Sequence, residues 1–258
     1  MRNILPQNIQ RRLGLWRSLL IYYGIPGRKR RLLRFYRQFI QPGDICFDIG
    51  SHVGNRINVW TKLGAQVVAV EPQPHLMHFL RQRYGRRQDT ILLQEAVGET
   101  PGKATMFAST IYPTVTSLST TWIKEVKQEK SFSRISWDQE MEVKVTTLDQ
   151  LIQEYGLPVY CKIDVEGYEL QVLQGLSTPI PMLSFEYVPA AMSRAKDCVL
   201  RLCELADYRF NWSCGELYKM NAATWLPARE MLAVLSGNLE LGGSGDVYAQ
   251  LQSDRQSV

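Results

Sequence analysis

Short apolar runs recur at 45–49, 66–71, 90–97, 159–164 and 181–186, as expected of strands covered on both faces of a parallel sheet. Between most of them, residues 54–64, 74–84, 167–175 and 191–206 place apolar side chains three or four positions apart, the period of a helix with one buried face. Gly64 and Gly85 stand where the first two of these helices should stop. The alternation reads as βαβα and predicts a layered α/β domain. After residue 186 the pattern changes. Residues 208–212 and 216–220 flank Ser213-Cys214-Gly215, which predicts a hairpin, and 246–251 reads as a last strand, so the sheet should end antiparallel. Two segments stay outside the repeat, residues 1–42 and the Ser/Thr- and aromatic-rich stretch 107–142. Both are expected to cover the functional site, the second as a candidate lid.

Composition narrows this to one domain. With 258 residues, 45% of them hydrophobic and 10% aromatic, the chain can bury one large core, here assigned to residues 43–258 behind a basic helical segment 1–42. Residues 1–43 hold ten Lys and Arg and no acid, which leaves 20 basic and 25 acidic side chains in the rest. The run Arg28-Lys29-Arg30-Arg31 with Arg34 and Arg37 suits anionic lipid headgroups, a phosphate-bearing acceptor or RNA. Leu32, Leu33, Phe35, Tyr36, Phe39 and Ile40 interleave with it, so packing on the core with the arginines exposed is the favoured reading, with peripheral membrane contact as the alternative. The apolar stretch 13–25 is too short for a membrane span and contains Arg17, and no cleavage site follows it. Cys46, Cys161, Cys198, Cys203 and Cys214 are odd in number and lack Cys-x-x-Cys spacing. Core thiols in a reducing, cytoplasmic setting are therefore expected rather than disulfides or zinc ligands.

The first strand runs into Asp48-Ile49-Gly50-Ser51-His52-Val53-Gly54-Asn55, and Glu71 closes the next strand about 20 residues on, the return distance of a nucleotide-binding βαβ unit. The two glycines do not have the G-x-G-x-x-G spacing that brings backbone against a diphosphate. Asp48 would repel a diphosphate but attract an ammonium, which S-adenosylmethionine carries. Asp48 is therefore assigned to the methionyl amine, and Gly50, Ser51, His52, Gly54 and Asn55 to the loop around the cofactor. Glu71 is assigned to the ribose hydroxyls with Pro72 beside it, Glu95 and Ala96 flank the adenine, and Asp164 closes the set.

The segment Tyr160-Cys161-Lys162-Ile163-Asp164-Val165-Glu166-Gly167-Tyr168-Glu169, with Leu173, Gly175 and Leu183-Ser184-Phe185-Glu186, resembles the FkbM family of methyltransferases. Pro42-Gly43-Asp44, Val70-Glu71-Pro72 and Thr147-Leu148-Asp149 are further matching pieces. The resemblance implies a class I, Rossmann-like fold, with a mostly parallel seven-stranded sheet and antiparallel C-terminal strands. It also implies methyl transfer from S-adenosylmethionine, typically to a hydroxyl of a sugar, glycan or natural product.

Alcohol methylation calls for alignment of the acceptor and for a base. The three histidines, His52, His75 and His78, all lie in the first third of the chain. Asp164 is the first candidate base, followed by Glu166 and then His52. Glu166 also reads as an acid at a helix start, where it would meet free amides. Lys162 is expected to pair with an acid rather than to reach the acceptor. A magnesium-type ion between Asp164 and Glu186 is an alternative, but two carboxylates are thin support for it and no metal ligand is assigned. Two rival readings remain. One is an RNA ribose 2'-O-methyltransferase, although no base-modifying Asp/Asn-Pro-Pro-Tyr motif is present and nucleic acid is the less favoured partner. The other is a non-catalytic interaction module. Tyr112, Trp122, Phe132 and Trp137 form either a sugar-stacking platform or anchors for the 107–142 segment.

Overall fold

A computed structural model of the chain describes residues 7–112, 115–128, 132, 135–215, 217–238 and 243–252. Each apolar run becomes a strand, namely β1 (Ile45–Ile49), β2 (Gln66–Val70), β3 (Thr90–Leu93), β7 (Tyr160–Ile163) and β8 (Met182–Tyr187). Together with β9 (Tyr208–Cys214) and β10 (Gly245–Leu251) they form a seven-stranded sheet in the order β3-β2-β1-β7-β8-β10-β9. The first five strands are parallel, and β10 alone runs against them, pairing antiparallel with β8 on one side and β9 on the other. This is the doubly wound, mostly parallel sheet with an antiparallel edge that the periodicity predicts.

Alternation along β1 sends Phe47 and Ile49 into one core layer and Cys46 into the other. The first layer is completed by α6 (Leu148–Tyr155), α7 (Glu169–Gln174), α8 (Met192–Leu205) and α9 (Ala228–Ala233). The second is completed by α2 (Arg28–Tyr36), α3 (Asn55–Trp60) and α4 (Pro74–Tyr84). In α2, Leu32, Phe35 and Tyr36 fall on one buried stripe, each worth roughly 1.5–3 kcal/mol of apolar burial. The basic run therefore packs as its interleaved residues predict. Arg28 itself is buried and donates to the Ile21 carbonyl and, at 3.4 Å, to the Tyr218 hydroxyl. Arg30, Arg31, Arg34 and Arg37 are exposed. Ahead of α2, α1 (Gln7–Tyr23) lies against the loop after β1, with the Tyr23 hydroxyl donating to the Val53 carbonyl at 3.0 Å.

Two expectations are corrected. The run 90–97 is two strands, because the chain turns at Gln94-Glu95 and Ala96–Val97 (β4) joins a separate three-stranded sheet. The other members of that sheet, β5 (Gly102–Ala108) and β6 (Gln139–Thr146), flank the segment 107–142 and take in only its two ends. Neither strand belongs to the predicted repeat, although in β6 Met141, Val143 and Val145 alternate with Glu140, Glu142 and Lys144. Between them α5 (Thr120–Val126) is capped by Ser119, whose hydroxyl accepts from the Trp122 amide at 3.1 Å. The hairpin at 208–220 does not form, and Glu216 lies outside the described residues. β9 pairs with β10 instead, and its other edge is met by the amides of Asn221 and Leu226, bonded to Trp212 and Phe210, which covers an edge that would otherwise be open.

Candidate active site

Glycine is required where the loop leaves β1. Gly50 has φ +83°, and a Cβ there would stand 1.9 Å from the Asp164 carbonyl oxygen, so the loop can cross the end of β7 only without a side chain. The amides of Gly50 and Ser51 bond the Val70 carbonyl at 2.9 and 3.0 Å, tying the loop to the end of β2. Ser51 donates to the Asp48 carbonyl at 2.7 Å. Gly54 packs beneath Tyr84 and Leu80. Ser51 and Gly54 thus shape the loop and do not line the cleft that it borders.

That cleft opens at the carboxyl ends of β1, β2 and β7, where ligands of open α/β sheets sit. Gly50, His52, Asn55, Glu71, Pro72, Glu95, Ala96 and Asp164 all line it. So do Arg56 and Gln73, which the sequence reading omitted although each directly adjoins an assigned motif. Tyr22 of α1, Met106 of β5, and Thr116 and Leu118 of the 107–142 region also reach its wall.

The polar groups around the cleft suit a nucleoside bearing an ammonium. Glu71 is buried, with one carboxylate oxygen accepting from the His52 amide and the other from the Gln73 amide, both at 2.9 Å. Each oxygen keeps a lone pair for a hydroxyl. Burial outweighs these bonds and pushes its carboxyl up to about 7. Asp48 is fully buried with neither carboxylate oxygen bonded, and burial lifts it to about 6 against the pull of Arg56. It lies behind the lining residues, whereas Asp164 is in the wall itself. His52 Nδ1 and Asn55 Nδ2 are likewise buried without a hydrogen-bond partner. Burial lowers His52 to about 4, so at neutral pH it is an uncharged ring, with Nε2 3.4 Å from the Ser18 hydroxyl. Glu95 is engaged at its outer side by Lys144 at 2.7 Å.

Folding favours the protonated form of Glu71, because its pKa rises from 4.5 unfolded to about 7. Its contribution to stability is therefore fully present below about 4.5 and lost as pH rises through about 7. Glu71→Gln should gain on the wild type by an order of a few kcal/mol across that window in donor-free denaturant titrations. The same variant should bind donor at least about tenfold more weakly by calorimetry. Equal affinity would remove Glu71 from the donor site.

The acids after β7 are arranged unequally. Asp164 lies 3.4 Å from Lys162 and 3.6 Å from Arg56. Burial opposes its charge, but the two cations hold it below the usual carboxylate range. Lys162 has no exposed surface and pairs with Asp246 at 2.8 Å. Burial works against its ammonium, and Asp164 and Asp246 more than offset that, holding it above the usual lysine range. Glu166, also in the cleft wall, is pushed well above the usual range by burial and by Glu186, Asp164 and Glu169. Its φ of +53° is left-handed, a strained position for a residue with a side chain. The helix-start role proposed for Glu166 falls to Glu169, whose Oε1 accepts from the Val165 and Gly167 amides at 3.3 and 3.1 Å. Asp164, Glu166 and Glu186 bring carboxylate oxygens within 4.8 Å of one another. Lys162 and Arg56 already supply counter-charge there, and no metal is assigned.

The aromatic residues of the 107–142 region mainly anchor it. Trp122 is 1% exposed and clusters with Phe132 and Trp137. It also sits where a Cβ on Gly167 would meet its ring. Arg194 of α8 holds the region from below, pairing with Glu125 at 2.9 Å and donating to the Gly167 carbonyl at 3.1 Å.

Strand order, the glycine loop after β1 and the strand-end acids together give the chain a class I methyltransferase fold. Residues 48–190 match the methyltransferase FkbM domain, and the chain belongs to that family. A hexuronic acid methyltransferase, AglP, from Haloferax volcanii is 24% identical over 160 residues. The match spans 61% of this chain and 60% of that protein, less than two thirds of its length. Among solved structures, a precorrin-6Y C5,15-methyltransferase from Geobacter metallireducens superposes with a TM-score of 0.47 at 10% identity over 87% of each chain. An O-methyltransferase from Bacillus cereus in complex with SAH gives 0.44 at 11% identity, over 97% of this chain and 94% of the other. Among the described residues, no helix is long and apolar enough to cross a membrane.

Proposed function

We propose that the protein methylates a hydroxyl group of a sugar or glycan. The observation that carries this reading is the placement of Glu166 in the cleft wall beside Asp164, with its carboxyl held well above the usual range, where it can take up the proton an alcohol must lose. When bound, S-adenosylmethionine supplies a methyl group made electrophilic by its sulfonium. Glu71 accepts from the ribose hydroxyls, Pro72 and Ala96 flank the base, and Asp164 gives the ammonium a counter-charge, with Asp48 behind it. Tyr22, Met106 and Leu118 narrow the cleft and exclude water, the 107–142 region acting as a lid. The printed name of the Haloferax relative, a hexuronic acid methyltransferase, supports a sugar acceptor.

The test is transfer of labelled methyl from S-adenosylmethionine by the purified chain to hexuronic acid glycosides, neutral glycosides and RNA. Base-stable label on a glycoside, as expected of a methyl ether, supports the proposal. Base-labile label would move the acceptor to a carboxylate, which needs no base. Ribonuclease-sensitive label would make the protein an RNA methyltransferase. Donor binding without transfer to any acceptor class would favour a non-catalytic role.

A further inference from the structure

The large apolar side chains left in water are not scattered. Among the described residues eleven are exposed, and six of them, Ile9, Leu13, Trp16, Leu20, Ile21 and Ile25, belong to α1 and the corner that follows it. Two more adjoin the same region. Ile111 precedes Tyr112, on whose ring the Arg17 guanidinium rests at 4.7 Å, and Leu217 precedes Tyr218, whose hydroxyl accepts from Arg28. On α1 the spacing of four, three and four from Ile9 to Leu20 keeps the four side chains within about 60° of arc. Leu13, Trp16 and Leu20 are 54%, 63% and 66% exposed, a continuous outward stripe on a helix whose inner face is occupied. Ser18 and Tyr22 on that inner face meet His52, and Tyr23 bonds Val53.

We infer that α1 docks the protein on an anionic membrane surface, lying in the plane of the interface with Leu13, Trp16 and Leu20 among the lipid chains. Charge complementarity selects lipid over a second copy of the chain. Residues 1–43 carry ten basic side chains and no acid, and Arg30, Arg31, Arg34 and Arg37 stand exposed just beyond the apolar corner, so two such faces would repel. An anionic bilayer offers hydrocarbon for the stripe and phosphate for the arginines. A tryptophan at the middle of the stripe suits the headgroup boundary. Because the same helix covers the donor loop, docking sets the donor cleft beside the lipid surface.

Flotation of the full chain with phosphatidylcholine vesicles, with and without phosphatidylglycerol, tests this. The wild type should float with the phosphatidylglycerol-containing vesicles and be released by high salt. Leu13→Ser/Trp16→Ser/Leu20→Ser, and separately Arg30→Glu/Arg31→Glu, should each reduce the bound fraction at least about tenfold while binding donor as the wild type does. The inference is overturned if the wild type binds neither vesicle type or the triple variant floats undiminished. Sedimentation showing a wild-type dimer that the triple variant dissolves would also overturn it, since the face would then belong to a second copy.

Discussion

Glu166→Gln is expected to lower turnover by about 100- to 10,000-fold while donor affinity stays within a few-fold. The substitution keeps the shape of the side chain but removes its capacity to take a proton. In the wild type, burial and the surrounding acids Glu186, Asp164 and Glu169 raise the carboxyl, so the rate should climb with pH along a limb lying above the ordinary glutamate value of about 4.3. That limb should vanish in the variant. Asp164→Asn distinguishes the two candidates. Asp164 is held low by Lys162 and Arg56, and a carboxylate stabilised in that way is a weak base. Its replacement should mainly weaken donor binding and leave the pH limb in place. If instead Glu166→Gln turns over normally and Asp164→Asn loses the limb, the base is Asp164.

Lys162→Met should destabilise the protein by about 3–5 kcal/mol, read as a drop in the denaturant midpoint with an unchanged slope. The ammonium has no exposed surface and stands 2.8 Å from Asp246 and 3.4 Å from Asp164. Removing it strands Asp246, 9% exposed, without its counter-charge. Lys162→Met/Asp246→Asn should recover a large part of the loss, because the buried carboxylate goes with its partner. If the double variant loses the sum of the two single effects, the coupling between Lys162 and Asp246 is absent.

The pairing of Lys162 with an acid could be anticipated, but Asp246 as its partner could not. The two residues are 84 positions apart and meet only because β10 enters the sheet antiparallel beside β8, setting Asp246 opposite Glu186 and one strand from Lys162. Arg56 and Gln73 went unassigned for a different reason. Neither belongs to the glycine-acid pattern, and they join the cleft because α3 begins at Asn55 and because Gln73 caps α4. The failed hairpin at 208–220 shows the limit of turn chemistry. Of Ser213-Cys214-Gly215 only Gly215 turns the chain, Ser213 and Cys214 being the last residues of β9, and Cys214 finds its partner 31 residues on, at Gly245 of β10.

The parallel core strands, the glycine loop after β1, and the strand-end places of Glu71 and the acids after β7 were determined by the sequence alone. Each rests on local constraints, namely a two-residue or 3.6-residue period, a glycine at a positive φ, or an acid at a strand end. Three features were decided only by the tertiary structure. It divided the strand-end acids into a charge-paired Asp164 and a protonatable Glu166, and it gave β5 and β6 to a second sheet. It also laid α1 over the donor loop with an apolar face outward. These depend on which distant elements share a dielectric environment or a surface, and burial and pairing across the fold are set by packing rather than by neighbours in the chain.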